Sequence, residues 1–213
     1  VRQALICIVA AAGLLAAGCN ASYSRQCFPV LRINDGDTIT LADGRLVRYL
    51  GINAPEIDHR AQKAEPFGFA ARRYNRELLK DKTACLEFDE QRRGRYGRLL
   101  AYVFLKDGRF VNRLMLAKGY AYFLFNKADR RYQKLLLAAQ QTAMANARGL
   151  WHDWHEKPGR YVGNRRSRRL HLRSCPLAAR ISRNNRVDFK SRWQAFWQGY
   201  APARQCMQDR LRN

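Results

Sequence analysis

Three short clusters carry residue types that can do chemistry. Asp35-Gly36-Asp37-Thr38 sets two carboxylates about a glycine. The glycine lets the backbone turn tightly and aim oxygens at a hard cation, so this is a candidate half-site for Ca²⁺ or Mg²⁺; an ordinary β-turn explains the same string. In VRYLGINAPE, Val47 to Glu56, a strand presents Arg48, breaks at Pro55 and projects Asn53 and Glu56 from the loop. A surface ion pair between Arg48 and Glu56 is the plainer alternative. In GRYGRLLAYVF, Gly94 to Phe104, Arg98 stands at the head of a strand behind a glycine-bounded turn, and a basic hairpin end is the alternative. None of the three is convincing alone. Together they offer acidic oxygens for a cation and forked guanidiniums for an oxyanion.

Short β-like runs must carry these groups. PVLRI and TITL are followed by a turn at Ala42-Asp43-Gly44 and then RLVRYLGI, a hairpin signal. ACLEFD and LLAYVFL are two further strands, the second closing in a turn at Lys106-Asp107-Gly108-Arg109. Pro66 can open a helix that runs to about Lys80. A short helix from Val111 to Lys118 stops at Gly119, and a longer one from Asp129 to Ala147 should bury Leu135, Leu136, Ala139 and Ala143. Five strands with three interspersed helices predict an α+β domain built on a five-stranded Greek-key barrel of OB type, ending near Trp151. Residues 152–160, with Pro158-Gly159, predict a linker, and residues 161–213 a small basic C-terminal α/β module.

The chain of 213 residues is 47% hydrophobic, enough for one core and a small second one. It has 40 Lys and Arg against 17 Asp and Glu, a net charge of +23. That favours a polyanion over a small neutral ligand and leaves nucleic acid and an anionic membrane surface as candidates. Residues 1–26 read as a leader and tether: Arg2, then an apolar run from Ala4 to Gly18 that is short for a membrane span. The run ends in Leu15-Ala16-Ala17-Gly18-Cys19, which resembles a lipoprotein cleavage box with Cys19 lipidated. Removal of a secretory peptide near Ala21 and an uncleaved anchor stay open, and all three place the remainder outside the cytoplasm. Cys7 and Cys19 then belong to export, leaving Cys27, Cys85, Cys175 and Cys206 as an even set for two disulfides in an oxidising compartment.

Taken in order, DGDT, the R-x7-E spacing with proline before the glutamate, and RYGR followed by LAY resemble the staphylococcal nuclease family, over about Cys27 to Trp151. FVNRLMLAKGYA and the closing GLW resemble that family's second and third helices. The resemblance implies a Ca²⁺-dependent phosphodiesterase that cuts DNA, and RNA as an open question, leaving 3′-phosphate and 5′-hydroxyl ends. Asp37 matches the family's carboxylate ligand to Ca²⁺, Glu56 the general base for the attacking water, and Arg48 and Arg98 the arginines that grip the phosphate. Asp35 would support the metal from behind its ligands. Asn53 stands where the best-known member has a second Asp, which removes one negative charge, and Ala54 would contribute its backbone carbonyl. Tyr96 is retained. Phe125 and Lys127 fall where nucleotide-contacting tyrosines are expected, and Tyr120 and Tyr122 are the substitutes at hand.

The tail resembles the small zinc module of the bacterial methylphosphotriester repair protein, with His171, Cys175 and Cys206 in ligand positions but Ala203 at the fourth. Three ligands make a poor structural zinc site, so a Cys175–Cys206 disulfide is favoured over zinc. Cys27 and Cys85 are expected to be neighbours in the barrel. Trp193, Phe196 and Trp197 fall on a helix after Ser191, as the tail's own small core or as an extension of a nucleic-acid surface. Two other functions stay in play: a weakly active or inactive nucleic-acid-binding module of the same fold, and a basic envelope-associated protein.

Overall fold

The computed structural model describes residues 25–80, 82–128, 131–157, 159–205 and 207. The expected leader up to residue 24, with Cys7 and Cys19, lies outside the described residues, as does Cys206. In chain order the elements are β1 (Gln26–Ile33), β2 (Thr38–Leu41), β3 (Leu46–Tyr49), β4 (Ile52–Asn53), β5 (Ile57–Asp58), β6 (Lys63–Ala64), α1 (Gly68–Leu79), β7 (Thr83–Glu87), β8 (Leu99–Phe104), α2 (Val111–Ala117), β9 (Tyr122–Phe123), α3 (Gln133–Ala145), β10 (Tyr161–Asn164), β11 (Arg169–Leu172), α4 (Pro176–Ala179), β12 (Arg186–Phe189), α5 (Arg192–Trp197) and β13 (Ala201–Pro202).

Strands β1, β2, β3, β8 and β7 close into a barrel in that order. Closure falls to β1, which gives its first half to β7 and its second half to β2, with an irregularity between Val30 and Arg32. The β3–β8 pairing is parallel, with Arg48 opposite Leu100. Alternation along these two strands sends Val47, Tyr49, Leu99 and Ala101 into the core and leaves Arg48 and Leu100 on the outer face. α1 and α2 pack on the barrel, and α3 on α2. The fold is therefore the α+β, OB-type barrel that the strand pattern predicts. In α3, Leu136, Ala139 and Ala143 are buried as expected, whereas Leu135 is 43% exposed; it stands off the inward stripe.

The C-terminal residues form a second sheet, in the order β12-β10-β11-β13. It has a small cluster of its own, Val162, Ala178 and Ile181, and shares the larger part of its core. Tyr161, Leu170, Phe189 and Phe196 pack in one cluster with Tyr122, Ala143, Met144 and Trp151 of the preceding domain. Gln140 of α3 fastens the two: its Oε1 accepts from the Phe123 N–H at 2.6 Å and its Nε2 donates to the Phe196 carbonyl at 2.7 Å. The stretch expected as a linker is packed as well. Trp154 lies against Trp151, Trp193 and Phe196, and Glu156 pairs with the fully buried Arg192. Trp197 is the tail aromatic that stays exposed.

Cys27 and Cys85 are directly opposed on β1 and β7 and form a disulfide, as expected. Cys175 is also disulfide-bonded. A bonded sulfur is no thiolate ligand, and no group of three His, Cys, Asp or Glu able to hold a metal exists among the described residues; the disulfide favoured at Cys175 is present, and the zinc alternative for His171, Cys175 and Cys206 is dropped. The Cys27–Cys85 bond spans a sequence separation of 58 residues; replacing both cysteines by serine should cost about 2–4 kcal/mol, measured as a lower free energy of urea unfolding, with a steeper slope because the unfolded chain is freed to expand.

Candidate active site

The Asp35-Gly36-Asp37 turn joins β1 to β2. It is compressed against the fold: a Cβ on Gly36 would come within 2.6 Å of the Ala54 Cβ and 2.7 Å of the Ala71 Cβ, so no larger residue fits. The turn is held from α1 by Asn75, which donates to the Asp35 carbonyl at 2.9 Å and accepts from the buried Tyr49 hydroxyl at 3.0 Å. Asn75 is a positioning residue that the sequence did not single out.

Asp37 is 2% exposed. Its Oδ1 accepts from the Thr38 hydroxyl at 3.0 Å, and its Oδ2 accepts from the Ala54 N–H at 2.5 Å and pairs with Arg48 Nη2 at 3.0 Å. Arg48 in turn spends Nη1 on the carbonyls of Tyr49 and Ile52, at 2.8 and 2.9 Å, and Nη2 also on Asn53 Oδ1 at 3.1 Å. One planar guanidinium thus fixes the end of β3, the β4 loop and the acidic turn together. Asp35 Oδ1 accepts from the Asp37 N–H at 2.8 Å. Burial first, and the charge of Asp37 second, push the Asp35 carboxyl up to about 7.

Glu56 follows Pro55 on the loop before β5. Its N–H donates to Glu65 Oε2 at 3.0 Å, and its carbonyl accepts from the Glu65 N–H at 2.9 Å, which ties the β5–β6 hairpin back on its base. Arg98 follows Gly97, whose φ of +73° makes the turn after Gly94 one that glycine best adopts. Asp35, Asp37, Arg48, Asn53, Glu56 and Arg98 all line one cavity of about 820 Å³. The alternating face of β3 and β8 explains how residues far apart in sequence arrive there: Arg98 precedes Leu100 by two, and Leu100 lies opposite Arg48.

None of the three expected aromatic contacts, Tyr96, Tyr120 and Tyr122, lines the cavity. Tyr122 is 4% exposed, its ring packed on Trp151 and Phe196, because the short β9 turns it into the core shared with the second sheet. Tyr120 is half-buried, with its ring 5.4 Å from that of Tyr74. Tyr96 is 78% exposed, 5.9 Å beneath the Arg98 guanidinium. Phe125 is covered at 6.0 Å by Arg168, in the β10–β11 turn of the second sheet. The same sheet contributes Arg169, His171 and Arg204 to the cavity, residues not assigned to this site from the sequence; the tail's basic composition was their one signal. Burial first, and the charge of Arg169 second, lower the His171 pKa.

The donor set is two carboxylates and an amide, all oxygen. Two neighbouring buried carboxylates resist ionising together, and a bound cation removes that resistance. The residues fit a hard divalent cation that keeps several waters.

Residues 46–153, just over half the chain, match the family model described as "Staphylococcal nuclease homologue". The chain belongs to the staphylococcal nuclease family. A thermonuclease of Staphylococcus hyicus is 32% identical over 134 residues, which is 62% of this chain and 79% of that protein. Endonuclease YncB of Bacillus subtilis (strain 168) is 35% identical over 139 residues, 63% of each, and an uncharacterized endonuclease of Escherichia coli O157:H7 is 33% identical over 127 residues, 58% of this chain and 76% of that one. As a member of the staphylococcal nuclease family the chain is a phosphodiester hydrolase acting on nucleic acid.

Four acceptors converge on Arg48, and an ammonium cannot serve them in one plane. Arg48→Lys should therefore lower stability by about 1–3 kcal/mol, read as an earlier urea midpoint with no substrate present.

Proposed function

We propose that this protein is an exported, Ca²⁺-dependent nuclease that hydrolyses DNA, and in principle RNA, to 3′-phosphate and 5′-hydroxyl ends. The observation that carries the reading is the shared cavity, with two carboxylates and an amide at one part of its wall and Glu56 and Arg98 at another. Asp37, Asn53 and the Ala54 carbonyl would hold the ion, with Asp35 behind them. When bound, Ca²⁺ supplies positive charge to a non-bridging oxygen of the scissile phosphate.

This chain's own groups do the remainder. Glu56 accepts a proton from a water as its oxygen bonds to phosphorus, opposite the departing 5′-oxygen. The P–O5′ bond breaks, the 5′-oxygen leaves with a proton from solvent, and the phosphate stays on the 3′ side. Arg98 meets the charge that grows on the equatorial oxygens. Arg48, committed to Asp37 and three other acceptors through Nη1 and Nη2, has its Nε–H left to offer the phosphate. Export is supported by the Cys27–Cys85 disulfide; lipidation at Cys19 remains part of the proposal. A family-fold module that only binds nucleic acid is disfavoured by the presence of Asp37, Arg48, Glu56 and Arg98 in one cavity.

Glu56→Gln and Arg98→Ala should each reduce turnover by about 100-fold or more with thermal midpoints close to the parent; near-parental cleavage of a plasmid by either variant refutes the assignment. Asn53→Asp restores the missing negative charge and should tighten Ca²⁺ binding, seen by isothermal titration as a lower Kd.

A further inference from the structure

β11 and the turn after β13 send three polar side chains into the cavity from the C-terminal sheet. Alternation along β11 aims Arg169 and His171 at the cavity, while Leu170 between them is fully buried in the shared core. β13 pairs in parallel with β11, Ala201 opposite Arg169. The Ala203 N–H then donates to the Leu170 carbonyl at 2.9 Å, and Arg204 follows as the chain leaves that bond.

Two features mark these arginines as built for an anion. Arg204 pairs through Nη2 with Glu56 Oε1, the group assigned to accept the proton from water. Among the described residues Arg169 makes no ion pair, and its Nη1 donates at 3.4 Å to the Pro202 carbonyl. Burial first and the positive charge of Arg48 second hold both guanidiniums below their ordinary range. The cavity as a whole brings Arg48, Arg95, Arg98, Arg169 and Arg204 against Asp35, Asp37 and Glu56. Arg48 is matched to Asp37 and Arg204 to Glu56. A single phosphate on Arg98 leaves Arg95 and Arg169 unmatched; a second phosphate of the same strand gives Arg169, on the side of Arg204, its anion.

We propose that Arg169 and Arg204 form a second phosphate subsite, which takes the phosphate flanking the scissile one; this rests on the active-site reading above. On binding, Arg204 exchanges the Glu56 carboxylate for an oxygen of the flanking phosphate, and Glu56 is released to the water. Cleavage then favours strands carrying at least two adjacent phosphates over dinucleoside monophosphates.

The test uses single-stranded oligonucleotides in which the linkages around one cleavable position are made neutral, one at a time, as methylphosphonates. In the parent protein, neutralising the flanking linkage should raise KM about tenfold, the loss of one charge-assisted contact. In Arg204→Ala, KM for the all-phosphate strand should already be raised and the extra penalty should fall to within about twofold, the signature of two groups in contact. Arg204 is half exposed, so its truncation leaves the core intact; Arg169→Gln is the second variant, with thermal midpoints recorded for both. Equal penalties in parent and variants overturn the subsite, and so does a kcat/KM above the parent's in Arg204→Ala, which would make Arg204 a plug. Should the parent cleave nothing, anisotropy binding of the same strands in chelator still reads the subsite. There, a penalty in the parent that Arg204→Ala lacks supports it, equal affinities overturn it, and the hydrolytic reading fails on its own.

Discussion

Burying a carboxylate at the mouth of a barrel is costly unless donors surround it, and the donors to Asp37 come from three separate points of the chain. Thr38 adjoins it, Arg48 reaches it from the neighbouring strand, and the Ala54 N–H arrives from beyond β4. Because Arg48 also takes the carbonyls of Tyr49 and Ile52 and the amide oxygen of Asn53, this one ion pair sets where β3 ends and where the loop to Glu56 begins. The close approach of Gly36 to Ala54 and Ala71, and the hold of Asn75 on the Asp35 carbonyl, fix the acidic turn against the same frame. The candidate site groups are therefore carried by strands and short, tied turns, as the proposed hold on a phosphate in one geometry requires.

The second consequence concerns the C-terminal sheet. Its core is continuous with the aromatic cluster around Trp151 and Tyr122, and Gln140 fastens it to α3. It is docked closely enough for Arg169, His171 and Arg204 to share the cavity with Asp37 and Glu56. A net charge of +23 acquires a local meaning there, since guanidiniums from the barrel and from the C-terminal residues converge on one hollow, an arrangement whose field favours a polyanion.

The acidic turn, the Arg48-to-Glu56 loop and the Arg98 turn were legible because each is a local string whose glycines and proline dictate backbone shape. The barrel strands were legible from alternation, and the Cys27–Cys85 pair from two strands expected to be neighbours. What escaped depends on docking. Tyr122 sits on a two-residue strand, too short for alternation to tell its inward face, and the second sheet decides it. Residues 152–160 resemble a linker in composition, yet Trp154 and Glu156 find their partners near Trp193 and Arg192, beyond the reach of any local pattern. Arg169 and Arg204 are two among many arginines in a basic tail; only the parallel pairing of β11 and β13 selects them. Ala203 at the fourth ligand position was the signal that told against zinc, and Cys175 is bonded in a disulfide.

The proposed chemistry needs a divalent ion and a phosphate to meet at Asp37, Glu56 and Arg98. Mass spectrometry of the products from a single-stranded DNA oligonucleotide, incubated with the full protein in Ca²⁺ or in chelator, tests this most directly. Fragments ending in 3′-phosphate and beginning in 5′-hydroxyl, formed in Ca²⁺ and absent in chelator, are the expected result. Intact oligonucleotide in Ca²⁺, or equal cleavage in chelator, would contradict it.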